Sequence, residues 1–288
     1  MAIRKVIVGN GFIASHLNYP ILHDRIEASY NYIANWLDDY KPDVVINCIG
    51  YCGGANIDGC EINKSRTFQT NTILPIMLAS VCAARDIRVI QIGSGCIFYG
   101  ESPNAVFFKR YYDSYEARRD SGWVENDAAA PLSTYSKSKY ACDLALGTMK
   151  NVTTLRIRMP ISDKASPRNL ISKLISYKEI VEIPNSVTFL KDLSRAVDWA
   201  VSSEATGTYH VTSPKPITHS QILNEYKKYV PEHTFNSITP DELNGLVSAP
   251  RSNCIIDSSK IMNEGFEFLN QEEELKRCVK EFAENNKK

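Results

Sequence analysis

Lys5-Val6-Ile7-Val8-Gly9-Asn10-Gly11-Phe12-Ile13-Ala14 is the stretch that decides how the rest of the chain is read. A short β-branched run ends on G-x-G-x-x-A, and a helix-like stretch over 12–17 follows. Glycine lets the backbone turn tightly and come close to a pyrophosphate. A helix start adds unbonded N–H groups and the positive end of its dipole. Such a turn is common by itself. It gains weight from standing in the first strand-to-helix connection of an alternating chain. Gly9, Asn10, Gly11, Phe12 and Ile13 therefore form the candidate cofactor loop, and Pro20 should end its helix early.

Outward from that loop, further strand-like runs stand at 43–50, 88–92 and 153–157. They are apolar without clean alternation, as suits strands buried on both faces of a parallel sheet. Helical spacing between them is carried by Ile73, Met77, Leu78 and Val81, and by Tyr140, Leu144 and Ala145. Strands alternating with helices predict an α/β fold, a doubly wound, Rossmann-like parallel sheet. After about residue 158 the pattern loosens and prolines recur at 160, 167, 184, 214 and 216. Helices are expected at 194–202 and 220–229, and a charged amphipathic one at 271–285. The division is a dinucleotide-binding domain over 1–157 and a mainly substrate-binding lobe over 158–288, with some segments returning to the sheet. The segment 99–131 is long for a loop and rich in aromatics: Phe107, Phe108, Tyr111, Tyr112, Tyr115 and Trp123. Loops of that length are usually functional or contain local structure.

Composition removes whole classes of function. The 288 residues carry 33 Lys+Arg against 33 Asp+Glu, so there is no bulk cationic surplus for nucleic acid. No apolar stretch approaches the roughly 18 residues of a membrane span. The first residues run straight into the Val6-Ile7-Val8 strand without a signal-peptide core, so a cytoplasmic location is expected. The eight cysteines form no CxxC pair, and the five histidines have no ligand spacing. Neither a metal site nor a disulfide framework is expected.

Two further patterns carry chemistry. Tyr135-Ser136-Lys137-Ser138-Lys139 places Tyr135 and Lys139 one above the other on a helix face. An ammonium about 4 Å from a phenol stabilises the phenolate by about 4 kcal/mol at an effective dielectric of 20. That is roughly three pKa units, so Lys139 is expected to lower the tyrosine toward neutrality. Ser94 stands just beyond the 88–92 run, at the carboxyl edge where doubly wound sheets bind ligands, between Gly93 and Gly95. Its hydroxyl can donate to a carbonyl oxygen. For the cofactor's ribose, residues 23–27 offer both signs: an acid would suit NAD, and Arg25 would suit the 2′-phosphate of NADP. The sequence leaves NADP against NAD open.

These features in this order resemble the extended short-chain dehydrogenase/reductase family. The resemblance includes Asn47-Cys48-Ile49-Gly50, Asp58-Gly59-Cys60-Glu61, Asn71 and Glu125-Asn126-Asp127. It implies that Cys48, Gly50 and Asn71 lie beside the cofactor. It departs from the family in its glycine spacing, which is one residue shorter than the usual GxxGxxG. A narrower resemblance rests on longer strings: Gly95-Cys96-Ile97-Phe98, 154–162, Pro167-Arg168-Asn169 through Lys173, Ile183-Pro184-Asn185-Ser186, and Ala249-Pro250-Arg251-Ser252-Asn253. These look like the bifunctional 3,5-epimerase/4-reductase family of UDP-rhamnose synthesis.

That resemblance implies a UDP-linked 4-keto-6-deoxyglucose as substrate, a nicotinamide cofactor and a homodimer. A C4 carbonyl acidifies the hydrogens on C3 and C5, and inversion needs proton-handling groups on both faces of the ring. The resemblance places them on Cys96 and Lys173, without deciding which is acid and which is base. Tyr135 would then protonate the C4 oxygen as hydride arrives, with Lys139 and Ser94 assisting. Arg168, Asn169, Asn185 and Arg251 would bind the substrate. Two other readings stay open: a reductase acting on sugar already epimerised, and a non-catalytic nucleotide-binding subunit; only the resemblance favours UDP over dTDP.

Overall fold

The computed structural model describes residues 3–22, 25–106 and 122–286. His23, Asp24 and the aromatics Phe107, Phe108, Tyr111, Tyr112 and Tyr115 lie outside that range. The chain divides into two compact units, and it passes between them several times. The first comprises Met1–Ile97, Pro131–Arg156 and Ser194–Tyr209. The second comprises Phe98–Ala130, Ile157–Leu193 and His210–Lys288.

In chain order the strands are β1 (Lys5–Val8), β2 (Ile21–Leu22), β3 (Val44–Asn47), β4 (Arg88–Ser94), β5 (Val152–Ile157), β6 (Pro160–Ile161), β7 (Glu179–Val181), β8 (Thr188–Phe189), β9 (Gly207–His210) and β10 (Asn236–Ile238). The α-helices are α1 (Tyr30–Tyr40), α2 (Asp58–Ile62), α3 (Lys64–Phe68), α4 (Leu74–Ala83), α5 (Thr134–Leu146), α6 (Leu170–Ser176), α7 (Leu190–Ser202), α8 (His219–Lys227), α9 (Pro240–Leu246), α10 (Ser259–Asn263) and α11 (Gln271–Asn285).

The first unit is built on a six-stranded sheet of order β2-β1-β3-β4-β5-β9. β1 pairs parallel with β2 on one side and with β3 on the other, and β3 pairs parallel with β4. The strand order reverses at β1, so the loop after it stands at the topological switch point, where open α/β sheets take ligands. The expected Rossmann-like architecture is therefore the observed one. β3 and β5 are buried along their whole length, which explains why their apolar residues show no clean alternation. Helix α1 starts at a Ser29 cap that accepts the Tyr32 N–H, and it buries Ile33, Trp36 and Leu37 on one face. It ends where Lys41 turns left-handed, at φ 48°. These side chains join Val6, Val8, Leu78, Val81 and Val89 in one core.

One expectation about the first unit fails. No α-helix follows the glycines; a single 3₁₀ turn, Ala14–His16, stands there, and Leu17 is already extended. The apolar stretch is too short to nucleate a longer helix before Pro20, whose missing N–H and fixed φ favour ending it. The second strand, which the sequence does not make obvious, is only Ile21–Leu22. Two residues are too few for a periodic signal; pairing to β1 creates the strand.

The second unit holds two parallel two-stranded ribbons, β6 with β8 and β7 with β10. Its core gathers Ile161, Ile171, Leu174, Phe189, Ile222, Leu223, Val279 and Phe282. The charged tail folds as α11, capped by the Asn270 side chain and burying Cys278, Val279 and Phe282. α8 opens on a capping box between Thr218 and Gln221. Of the segment 99–131, Trp123 bridges to Ile256 and stacks on Phe98 with ring centroids 4.9 Å apart.

Candidate active site

The ends of β1, β3 and β4 and the first turns of α5 place most of the predicted site residues in the first unit. At the end of β1, Gly9 has φ +90°, and a Cβ there would stand 3.0 Å from the Ile49 backbone nitrogen. Only glycine fits both conditions. The Cys48 N–H donates to the Val8 carbonyl at 2.9 Å, so the loops after β1 and β3 are joined directly. Asn10 and Gly11 are exposed, and a Cβ on Gly11 would meet nothing within 4 Å. The Phe12 carbonyl accepts from Ser15 Oγ at 2.9 Å and His16 Nδ1 at 2.7 Å, and the Phe12 and His16 rings meet edge to face. This open, glycine-walled loop at the sheet's carboxyl edge fits a dinucleotide pyrophosphate. Arg25 is exposed just after β2, with its carbonyl held by the Tyr32 hydroxyl at 3.1 Å.

Cys48 is half-buried, and burial raises its thiol to about 12 while the Lys139 charge opposes the shift. It is a neutral wall of the loop at physiological pH. Gly50 is exposed beside it. Asn71 is fully buried in a π-helical turn, Gln69–Ile73, a feature frequent at functional sites. Its Oδ1 accepts the Tyr51 N–H at 2.7 Å, and its Nδ2 donates to the Tyr51 carbonyl at 2.8 Å and to Ser138 Oγ at 3.1 Å. Asn71 thus clamps the loop after β3 to the helix of Tyr135, with its amide spent inside the protein.

Ser94 ends β4 and is 4% exposed. Its side chain hydrogen-bonds Tyr135, and its Oγ accepts the Cys96 N–H at 3.2 Å. Cys96 lies in the 3₁₀ turn Gly95–Ile97 and is half-buried. Its carbonyl accepts Ser136 Oγ at 2.7 Å, so strand end and helix start are bonded across the site. Tyr135, Ser94 and Cys96 therefore form one cluster. Lys139 is buried and donates to the Ile92 carbonyl at 3.2 Å. The same carbonyl accepts Gln91 Nε2 at 2.9 Å, and Gln91 Oε1 accepts Asn47 Nδ2 at 2.7 Å. A buried polar chain thus runs from Asn47, at the end of β3, to the lysine. Sequence reasoning missed it: Gln91 reads as one polar residue in an apolar strand, and that oddity was the available signal.

The expected direction of the Tyr135 shift is overturned. Burial of the phenol raises its pKa, and the Cys96 and Cys52 thiols add to the rise. The Ser94 bond lowers it, without reversing the direction. Desolvation disfavours the charged phenolate, and it is the largest cause of the rise.

The remaining predicted residues belong to the second unit. Lys173 is half-buried on α6. Asn169 caps that helix: its Oδ1 accepts the Ile171 N–H at 3.1 Å, and its Nδ2 donates to the Ser162 and Lys164 carbonyls at 2.6 and 2.8 Å. Asn185 is fully buried, accepts Arg158 Nη2 at 2.5 Å and the Cys254 N–H at 3.0 Å, and donates to Asn253 Oδ1 at 3.1 Å. Asn169 and Asn185 thus direct their side chains to the fold, the first holding the helix of Lys173. Arg158, which the sequence reading passed over, is 1% exposed and also donates to Ser252 Oγ at 2.7 Å. Arg168 is half-buried, and so is Arg251, whose guanidinium donates to the Ala249 carbonyl at 2.8 Å. All eight cysteines are thiols. Among the described residues no group of three or more His, Cys, Asp or Glu could hold a metal ion, and no helix is long and apolar enough to cross a membrane.

Known proteins resemble this chain in sequence and in fold. A family profile described as the RmlD substrate binding domain matches residues 26–284. An Arabidopsis thaliana bifunctional dTDP-4-dehydrorhamnose 3,5-epimerase/dTDP-4-dehydrorhamnose reductase is 33% identical over 278 residues, 96% of this chain and 87% of its own. Arabidopsis trifunctional dehydratase/epimerase/reductases at 32–34% identity are longer, and the chain spans 34–38% of their length. The crystal structure of the L780 UDP-rhamnose synthase from Acanthamoeba polyphaga mimivirus superposes with a TM-score of 0.84 at 25% identity, covering 96% of this chain and 99% of that one. A Bacillus anthracis dTDP-4-dehydrorhamnose reductase in complex with NADP has the same fold at 18% identity, TM-score 0.78, covering 98% and 99%. By sequence, fold and the serine–tyrosine–lysine set, the chain belongs to the RmlD-like sugar-nucleotide reductase family, within the short-chain dehydrogenase/reductase superfamily.

Proposed function

We propose that the protein is a bifunctional enzyme that converts UDP-4-keto-6-deoxy-D-glucose to UDP-L-rhamnose, inverting C3 and C5 and then reducing C4 with NADPH. The observation that carries this reading is Ser94, whose side chain bonds the Tyr135 phenol and the Cys96 amide at one strand end. A carbonyl oxygen placed there meets a hydroxyl donor and a phenolic proton, while a thiol stands two residues from the serine. Loss of a proton from C3 or C5 gives an enolate whose oxygen Ser94 can hold. Cys96 and Lys173 are assigned the proton transfers on the two ring faces. The Gly9–Ile13 loop would hold NADPH, which when bound would supply a hydride for C4. Tyr135 delivers the proton to the C4 oxygen, and Lys139 and Asn71 hold the walls of that site.

The cofactor assignment is supported by the fit of the Gly9–Ile13 loop and by Arg25, which suits a 2′-phosphate. A homodimer and a cytoplasmic location complete the proposal.

A second reading has its own support: Tyr135, Ser94 and Lys139 are complete within one unit, whereas the epimerase pair draws Lys173 from the other. On that reading the protein reduces a sugar already epimerised, with UDP or dTDP attached. Solvent deuterium separates the two. With NADPH withheld, the bifunctional enzyme places deuterium at C3 and C5 of the 4-keto sugar, read by NMR. An unlabelled sugar would leave only the reductase. Cys96→Ser should abolish that labelling while reduction of pre-epimerised substrate persists. Equal loss of both activities would make Cys96 structural.

A further inference from the structure

Glu61 stands on α2, far in sequence from the tyrosine, yet its carboxylate reaches the first residue of α5. Oε1 accepts the Thr134 N–H at 2.7 Å, and Oε2 accepts the Thr134 hydroxyl at 2.6 Å. Thr134 is buried and immediately precedes Tyr135. The start of a helix leaves four N–H groups without intrahelical partners, and it carries the positive end of the dipole. α5 has no acidic residue in its own first turn. Its Ser133 cap takes the Ser136 N–H at 3.1 Å, and Glu61 takes the Thr134 N–H from outside the helix.

The other side of the same turn is tied as well. Ser136 Oγ donates to the Cys96 carbonyl, and Ser133 Oγ donates to Ser136 Oγ at 2.9 Å. A carboxylate gripping one residue at two atoms resists rotation of the helix about its axis, because any turn lengthens one bond. Such rotation would carry the phenol away from Ser94. Displacing a reacting group by about 1 Å can cost about a hundredfold in rate.

We propose that Glu61 is a positioning residue for proton delivery by Tyr135, acting through its double bond to Thr134. The inference rests on the reductase reading, and it leaves Glu61 outside contact with substrate or cofactor.

Glu61→Gln keeps the shape and one acceptor oxygen but loses the charge and the second acceptor. For reduction of a 4-keto-6-deoxy sugar nucleotide, kcat should fall at least tenfold. NADPH affinity, read by nucleotide fluorescence, should stay within twofold. The solvent deuterium isotope effect on kcat should rise, because proton delivery becomes slower relative to the other steps. Thr134→Val, which deletes only the hydroxyl bond, should lower kcat and raise the isotope effect by less, with NADPH affinity again within twofold, and it serves if the first variant does not fold. Unchanged turnover, or a fall in turnover and NADPH affinity together with an unchanged isotope effect, overturns the proposal.

A second measurement needs no substrate. In protein carrying ¹³Cζ-tyrosine, the resonance missing from Tyr135→Phe identifies Tyr135, and it should shift in Glu61→Gln. A stationary resonance overturns the positioning role. Wild-type protein inactive on every 4-keto sugar nucleotide sinks the reductase reading instead, and the NMR result still decides Glu61.

Discussion

A phenol that hands a proton to a developing alkoxide must enter the step in its neutral form. Burial and the thiols of Cys96 and Cys52 hold Tyr135 in that form well above the usual tyrosine range. The reductive direction gains from this, since the acid does not titrate away at working pH. We therefore expect kcat for reduction to show no basic limb from Tyr135 below about pH 10, the ordinary tyrosine value. A pH–rate profile checks it; a tyrosine-dependent fall near pH 7–8 would contradict it. Tyr135→Phe should lower kcat by about 10²–10⁴-fold, the range for losing a general acid, with NADPH binding retained. The role of Lys139 changes accordingly. Its ammonium, bonded to the Ile92 carbonyl and joined through Gln91 to Asn47, holds the floor of the site more than it acidifies the phenol.

Elements of the second unit are held by polar groups that composition alone would assign to ligands. Asn185, Arg158 and the 252–254 segment form one buried network. Asn185→Ala leaves the Arg158 guanidinium and the Cys254 N–H short of an acceptor. It should cost about 2–3 kcal/mol, the scale for unsatisfied buried groups, measurable by urea unfolding. An Asn185 that served only to hold substrate would instead change KM at constant stability. Helix α8 offers a pH-dependent case. His219, at its start, is buried against Val181, with Glu182 and Arg158 acting on it, and burial lowers its pKa to about 4. The unfolded chain takes up this proton near 6.5, whereas the folded chain resists it until about 4. Stability present at neutral pH is therefore lost as pH falls through that window, by at most roughly 3 kcal/mol. Urea unfolding at pH 7 and at pH 4.5 should show a smaller difference for His219→Gln than for the wild type.

At the scale of the molecule, the cofactor enters as a ligand of the folded state only. A dinucleotide at about 100 times its Kd should add about 2.7 kcal/mol to stability. NADPH should therefore raise Tm by several degrees. If Arg25 reads the 2′-phosphate, Arg25→Ala should diminish that shift for NADPH and leave the smaller one for NADH unchanged. Equal loss with both nucleotides would place Arg25 elsewhere in the site or in folding. The fold was legible because its determinants are local and repeated: glycines after β1, apolar runs for β3, β4 and β5, and helical spacing in α4 and α5. β2 was not, because two residues become a strand only through their neighbour. The candidate pair Tyr135 and Lys139 was legible because helix geometry converts the 135/139 spacing into one face. Glu61 stood in a recognisable string, but its partner is 73 residues away, and no local pattern encodes a bond over that distance.

The residues alone determined which side chains are candidates for the chemistry, because i,i+4 spacing on a helix and a serine at a strand's carboxyl end follow from backbone geometry. Tertiary structure decided what those side chains are like. It raised the Tyr135 pKa where a lysine at helical distance predicted a fall, since desolvation depends on everything packed around the group. It turned Asn169 and Asn185 inward as caps and braces, because buried backbone and guanidinium groups need partners and those amides are where the fold finds them.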